Sequence, residues 1–282
     1  MSFKQRWFVV FLFALAMAWV EAAVVVDLRT LINRIEPYQP NPLPLGSNLV
    51  SLGQIELVRE LATLVMLYTV GWLAGTTRRS RWGFTALAFG VWDIFYYVWL
   101  KVMIDWPHSL LDWDILFLLP LPWWGPVLAP VLIASLMLIG GTLVARGHTP
   151  RTWSWRISLI GATLALYTFM ADAMVVAHQG IEAIRSVLPA SFNWLLFSVA
   201  WALLAVPVVD VLWQAWVRRE VGQIANLSTG QIANLSTGQT ANLSTGQIAN
   251  LSTGQTANLS TGQTANLSTG QIANLPYTQE NA

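Results

Sequence analysis

The chain has 282 residues, of which 55% are hydrophobic and only 10% charged, with a mean hydropathy of +0.53. A soluble domain carries about a quarter of its residues charged, so this composition excludes an ordinary soluble domain and describes a membrane protein. The formal net charge of +1 offers no basic excess for a nucleic-acid partner, and the absence of cysteine excludes disulfides, thiolate nucleophiles and cysteine metal sites.

The chain opens on the basic "MSFKQR" and enters a first apolar span over residues 7–26. "AMA" ahead of Trp19 would suit a signal-peptide cleavage, but the apolar run continues through "AAVVV" to Val26, longer than a signal h-region, so the segment is read as a retained span. Glu21 lies late in it. Residues 27–54 follow, with Pro37, Pro40, Pro42 and Pro44 in "EPYQPNPLPLG". Proline removes backbone donors and favours an extended, ordered loop.

The second span, 55–75, begins with Glu56, Arg59 and Glu60, whose three- and four-residue spacing places them on one helix face. After the basic turn of Arg78, Arg79 and Arg81, the third span, 83–104, holds "WDIFYYVWLKVMID". Asp93, Tyr97, Lys101 and Asp105 recur there every four residues, which stacks them along one stripe. "LLDWDILFLLPLPWWGPVLAP" is too apolar for a free loop and too rich in proline for a clean helix. It reads as an interfacial or re-entrant piece leading into a kinked fourth span at 125–145. The fifth span, 157–177, aligns Gly161, Ala165, Thr168 and Asp172 on a face whose small residues permit close helix packing. The sixth is 194–217. The expected fold is therefore an all-α polytopic membrane bundle of six transmembrane helices.

From Gln223 the sequence becomes an octapeptide array, "QIANLSTG" or "QTANLSTG", in six complete copies and a decaying seventh. Each copy has too few apolar residues to offset the entropy of ordering. The expected organisation is a membrane domain, 1–220, and a disordered, low-complexity cytoplasmic tail, 221–282.

Basic residues orient membrane helices. Lys4, Arg6, Arg78, Arg79, Arg81, Arg146, Arg151, Arg156, Arg218 and Arg219 all fall at one end of the alternating spans, against Arg29, Arg34 and Arg185 at the other. The expectation is an integral protein of a bacterial plasma membrane with both termini cytoplasmic. Chain direction then puts Glu21, Arg59, Glu60, Asp93, Tyr97, Lys101 and Asp172 in the middle or outer half of the membrane. Asp210 is the exception near the cytoplasmic end, where Arg218 could accompany it.

Ionisable groups in a membrane are costly and point to function. Glu21, Glu60, Asp93 and Asp172 are the candidate acid-base residues, and Arg59, Tyr97 and Lys101 the candidate substrate contacts, around one outward-opening cavity. The structural alternative pairs Lys101 with Asp93 or Asp105, and Arg59 with Glu56, Glu60 or Glu21. No strong metal spacing occurs. His108 and His178 are weak metal candidates, and a divalent cation is the one cofactor the carboxylates would suit. Three function classes follow: an enzyme acting on a lipid-linked or amphipathic substrate, a transporter or channel for a cation or small solute, and a non-catalytic assembly protein. The one-sided cluster favours the first. Expected partners are membrane lipids and, through the Pro/Trp-rich outer segment, another protein.

Overall fold

The computed structural model describes residues 1–39, 47–118, 120–180, 183–184 and 187–233. Six helices dominate: α1 (Phe3–Leu31), α2 (Ser47–Ala74), α3 (Arg78–Ile104), α4 (Leu128–Ala145), α5 (Thr152–Val176) and α6 (Trp194–Ala233). Each contains a stretch long and apolar enough to cross a membrane, where a helix satisfies its own backbone hydrogen bonds. Apolar side chains also cover the outside: Phe8, Leu73, Leu159 and Leu195 are exposed, as suits lipid rather than water. The chain is a multi-pass membrane protein.

Local chemistry sets the helix ends. Ser2 and Gln5 form a reciprocal capping box at the start of α1. At the start of α3 the Ser80 hydroxyl accepts the Thr77 N–H at 2.9 Å while the Ser80 N–H donates to the Thr77 hydroxyl at 3.1 Å. α3 ends where Asp105 turns left-handed at φ 56°.

Helix packing fixes the height of the polar residues. The α1 seam is lined by fully buried Ala14, Ala18 and Ala22, and the Trp99 indole of α3 donates to the Leu15 carbonyl across it at 3.2 Å. α3 and α4 approach backbone to backbone. A methyl group at Gly83 would lie 2.5 Å from the Ala145 nitrogen, and one at Gly141 would lie 2.6 Å from the Gly83 oxygen. Glycine is required at this contact because nothing larger fits. Val10, Ala14, Ala18, Leu67, Phe84, Leu87 and Val91 form an apolar core between α1, α2 and α3.

The segment between α3 and α4, expected as an interfacial or re-entrant piece leading into a kinked helix, contains strands. It forms a hairpin of β1 (Trp113–Ile115) and β2 (Trp124–Pro126), paired antiparallel. Backbone bonds extend the ladder on both sides: Leu116 N–H to the Trp123 carbonyl at 2.8 Å, and Val127 N–H to the Asp112 carbonyl at 3.0 Å. The apolar segment thus satisfies its polar backbone without a helix. α4 starts only at Leu128, so Pro130 falls in its first turn, where no intrahelical donor is lost.

Most of the proline-rich stretch, 40–46, lies outside the described residues. α6 continues through the first octapeptide to Ala233, and the remaining repeats lie outside the described residues. Met1–Trp213 forms one compact unit, and the cavity lies wholly within it.

Candidate functional site

A cavity of about 190 Å³ opens where the C-terminal half of α1, the N-terminal half of α2, the C-terminal half of α3 and the β-hairpin meet. Its polar wall comprises Glu21, Arg29, Arg34, Glu56, Arg59, Glu60, Asp93, Tyr96, Tyr97 and Asp114.

The α2 contribution follows from one helix stripe. Glu56, Arg59, Glu60 and Thr63 are spaced i, i+3, i+4, i+7, the repeat of a single face. Arg59 binds Glu56 one turn before it, with Nε 2.8 Å from the carboxylate, and reaches across to Glu21 of α1. The Thr63 hydroxyl donates to the second Glu21 oxygen at 3.0 Å. One guanidinium therefore ties two helices together through two carboxylates. Glu60, on the same stripe, has a different partner: it accepts the Leu118 N–H at 3.0 and 3.1 Å, which seats the hairpin on α2.

A second pair closes the other side. Arg29, near the end of α1, donates to Asp114 of β1 at 2.8 Å, and the two side chains are only 9% and 1% exposed. The guanidinium lies 4.3 Å from the centre of the Trp106 ring, a geometry in which the aromatic face attracts the cation. The same Asp114 oxygen accepts the Ile115 N–H at 2.9 Å. Burial pushes the Asp114 carboxyl up from its ordinary range, against the pull of Arg29, the Ile115 N–H and the Tyr97 phenol. Its second oxygen is buried with no partner of hydrogen-bond geometry among the described residues.

Asp93 stands apart. It is 8% exposed and lines the cavity, yet among the described residues no hydrogen bond or ion pair engages its carboxylate. Its charged neighbour is Asp114, of like sign.

The structure thus brings together Glu21, Arg59, Glu60, Asp93 and Tyr97 of the seven candidates. Lys101 and Asp172 lie elsewhere. Lys101 is exposed and binds the Asp105 carboxylate at 2.7 Å, holding that carboxyl below its ordinary range. The reason is helical drift. Steps of four residues advance about 40° beyond a full turn, so a stripe that starts inside at Asp93 and Tyr97 has rotated to the surface by Lys101 and Asp105. Asp172 is half-buried on α5 and does not line the cavity. His108 is exposed, 3.5 Å from Glu36, and His178 is exposed too. Among the described residues, no three His, Asp or Glu side chains converge to hold a metal.

Sequence reasoning left Arg29, Glu56, Tyr96 and Asp114 off the candidate list. Glu56 was legible from its stripe. Arg29 and Asp114 looked like loop charges, and only their meeting across 85 residues makes them a buried pair. At the other end of the bundle, Asp210 caps α5, accepting the Arg151 N–H at 2.7 Å and the Ser154 hydroxyl at 3.1 Å. A carboxylate there complements the positive helix N-terminus, and the Arg151 guanidinium lies 3.8 Å from it; the Arg218 side chain lies outside the described residues.

Fold and site together define a polytopic α-helical membrane protein with a one-sided polar cavity. A family described as ALTTAQ repeat matches residues 220–253. That stretch lies past the last apolar span, which ends at Val217; the match agrees with the repetitive character of the segment and carries no activity. No curated protein and no solved structure matches the chain.

Removing one member of a buried ion pair typically costs about 3–5 kcal/mol because the partner charge is stranded. Arg29→Leu and Arg59→Leu should each destabilise the purified protein on that scale, whereas Lys101→Leu, in an exposed pair, should leave thermal unfolding unchanged. Equal effects of all three substitutions would contradict the assignment of the buried Arg29 and the half-buried Arg59 as the cations that hold the cavity's carboxylates.

Proposed function

We propose that the cavity faces the outside of a bacterial plasma membrane, with both termini cytoplasmic, and that it takes and acts on a lipid-linked or amphipathic substrate. The observation that carries this reading is Asp93: a buried carboxylate on the cavity wall without a partner among the described residues. Burying a charge unpaired is costly, and such a group suits exchanging a proton with a bound substrate or binding its polar part. Glu60, held only by a backbone N–H, is the second carboxylate without a cation of its own. Such pairs can divide into acid and base.

Two features favour this over a transport path. On α3 the cavity's lining goes no further toward the Arg-rich end than Trp92 and Asp93, and on that side lies the apolar cluster of Val10, Ala14, Leu67, Phe84 and Leu87. The exposed Ile55 and Val58 of α2, beside Glu56 and Arg59, offer an apolar outer surface along which a hydrocarbon chain could lie while its head enters the cavity.

Leu118 lines the cavity and binds Glu60 only through its backbone. Native mass spectrometry of the full chain extracted into nanodiscs should detect a retained amphiphile on the parent protein. Leu118→Trp, with an unchanged melting temperature, should lose it. An amphiphile bound equally by both would move binding away from this cavity.

The orientation has its own test, since the chain contains no native cysteine. Leu110→Cys lies at the cavity end and Arg79→Cys at the basic end; both positions are exposed. A membrane-impermeant maleimide applied to intact cells should label the first and spare the second; the opposite pattern would invert the topology.

A further inference from the structure

Charge balance within the cavity singles out one kind of ligand. Five carboxylates and three guanidiniums line it, a formal excess of two negative charges. Arg59 is taken by Glu21 and Glu56, and Arg29 by Asp114. Asp93 remains buried and unengaged among the described residues, and Glu60 accepts only the Leu118 N–H. An anionic ligand would meet repulsion here; a cationic one would supply the missing partner.

The surroundings of Asp93 narrow the choice of cation. Trp92, Tyr96 and Tyr97 flank it on α3 and all line the cavity. The Trp92 and Tyr96 rings stack at 6.3 Å, and Tyr96 meets Tyr97 edge-on at 5.0 Å. Aromatic faces attract organic cations, quaternary ammonium groups above all, while divalent metals ask for converging oxygen donors, which the described residues do not provide. Size points the same way. A single water needs only about 10–15 Å³ and drug-sized pockets start near ~300 Å³, so about 190 Å³ suits a headgroup rather than a bare ion or a whole drug-like molecule.

We infer that the substrate class of this cavity is an organic ammonium, primary or quaternary, seated with its cationic nitrogen on Asp93 among Trp92, Tyr96 and Tyr97. The inference rests on the cavity being a binding site at all. The ammonium could belong to a lipid headgroup or to a free amine, and both present the same chemistry to Asp93.

The test uses the full chain in nanodiscs of phosphatidylglycerol, which carries no ammonium. Choline and its neutral isostere 3,3-dimethylbutanol are titrated in parallel by calorimetry at constant ionic strength. The parent protein should bind choline saturably and the isostere at least tenfold more weakly. Asp93→Asn should weaken choline binding at least tenfold, while the exposed Asp105→Asn should not change it. Repeating the titration in phosphatidylcholine discs separates the two sources: an at least threefold weaker apparent affinity for choline marks a lipid headgroup as the competing occupant, and an unchanged value marks a free amine. Equal binding of choline and isostere, absence of choline binding in phosphatidylglycerol discs, or choline binding indifferent to Asp93→Asn would each overturn the inference. The comparison of choline with its isostere needs no variant, so a folding defect in Asp93→Asn cannot shield it. A Leu118→Trp-sensitive amphiphile together with indifference to choline would leave the binding reading standing and remove this one alone.

Discussion

Charge compensation in an apolar interior is the constraint from which the rest of this structure follows. Moving an ion from water into a low-dielectric medium costs several kcal/mol even after relaxation, and a partner recovers that cost only with good geometry. The chain meets the constraint with two arginines. Arg59 collects Glu21 and Glu56, and Arg29 collects Asp114. Each choice is also a tertiary contact: the first joins α2 to α1, the second joins α1 to the β-hairpin. Arginine suits both places because its planar, always-charged fork can satisfy more than one oxygen. The cavity is the space these two contacts enclose.

Helix packing decides where that space ends. The glycine contacts between α3 and α4 hold those backbones closely together, and the alanines of α1 let α3 approach from the other side. Below Asp93 an apolar cluster of Val10, Ala14, Leu67, Phe84 and Leu87 fills the space between α1, α2 and α3. The polar region is confined to one end of the bundle for a steric reason as much as an electrostatic one.

The six helices were legible because lipid imposes a simple rule, about 20 apolar residues per span, and the Glu56–Arg59–Glu60 face was legible because its spacing is short. The longer stripe from Asp93 to Asp105 was read as one face, but the mismatch between four residues and 3.6 per turn accumulates along it, and only its first half points inward. The hairpin escaped notice because an apolar, proline-rich run has no clear periodicity, and its pairing joins residues nine to thirteen positions apart. The Arg29–Asp114 pair escaped for a similar reason: each residue alone looks like a loop charge, and burial arises only when α1 and β1 meet.

Asp93 is a buried carboxylate to which the described residues offer no hydrogen-bond or ion-pair partner, so that a stabilising substitution and a loss of function should coincide at this position. The most direct measurement is the thermal unfolding of Asp93→Asn beside that of Asp114→Asn, each in the purified full chain without ligand. The account predicts that Asp93→Asn melts at least as high as the parent, because a costly unpaired carboxylate is removed, while Asp114→Asn melts lower, because Arg29 is stranded. A fall in melting temperature for Asp93→Asn as large as that for Asp114→Asn would mean that Asp93 is structurally paired, and would contradict the account.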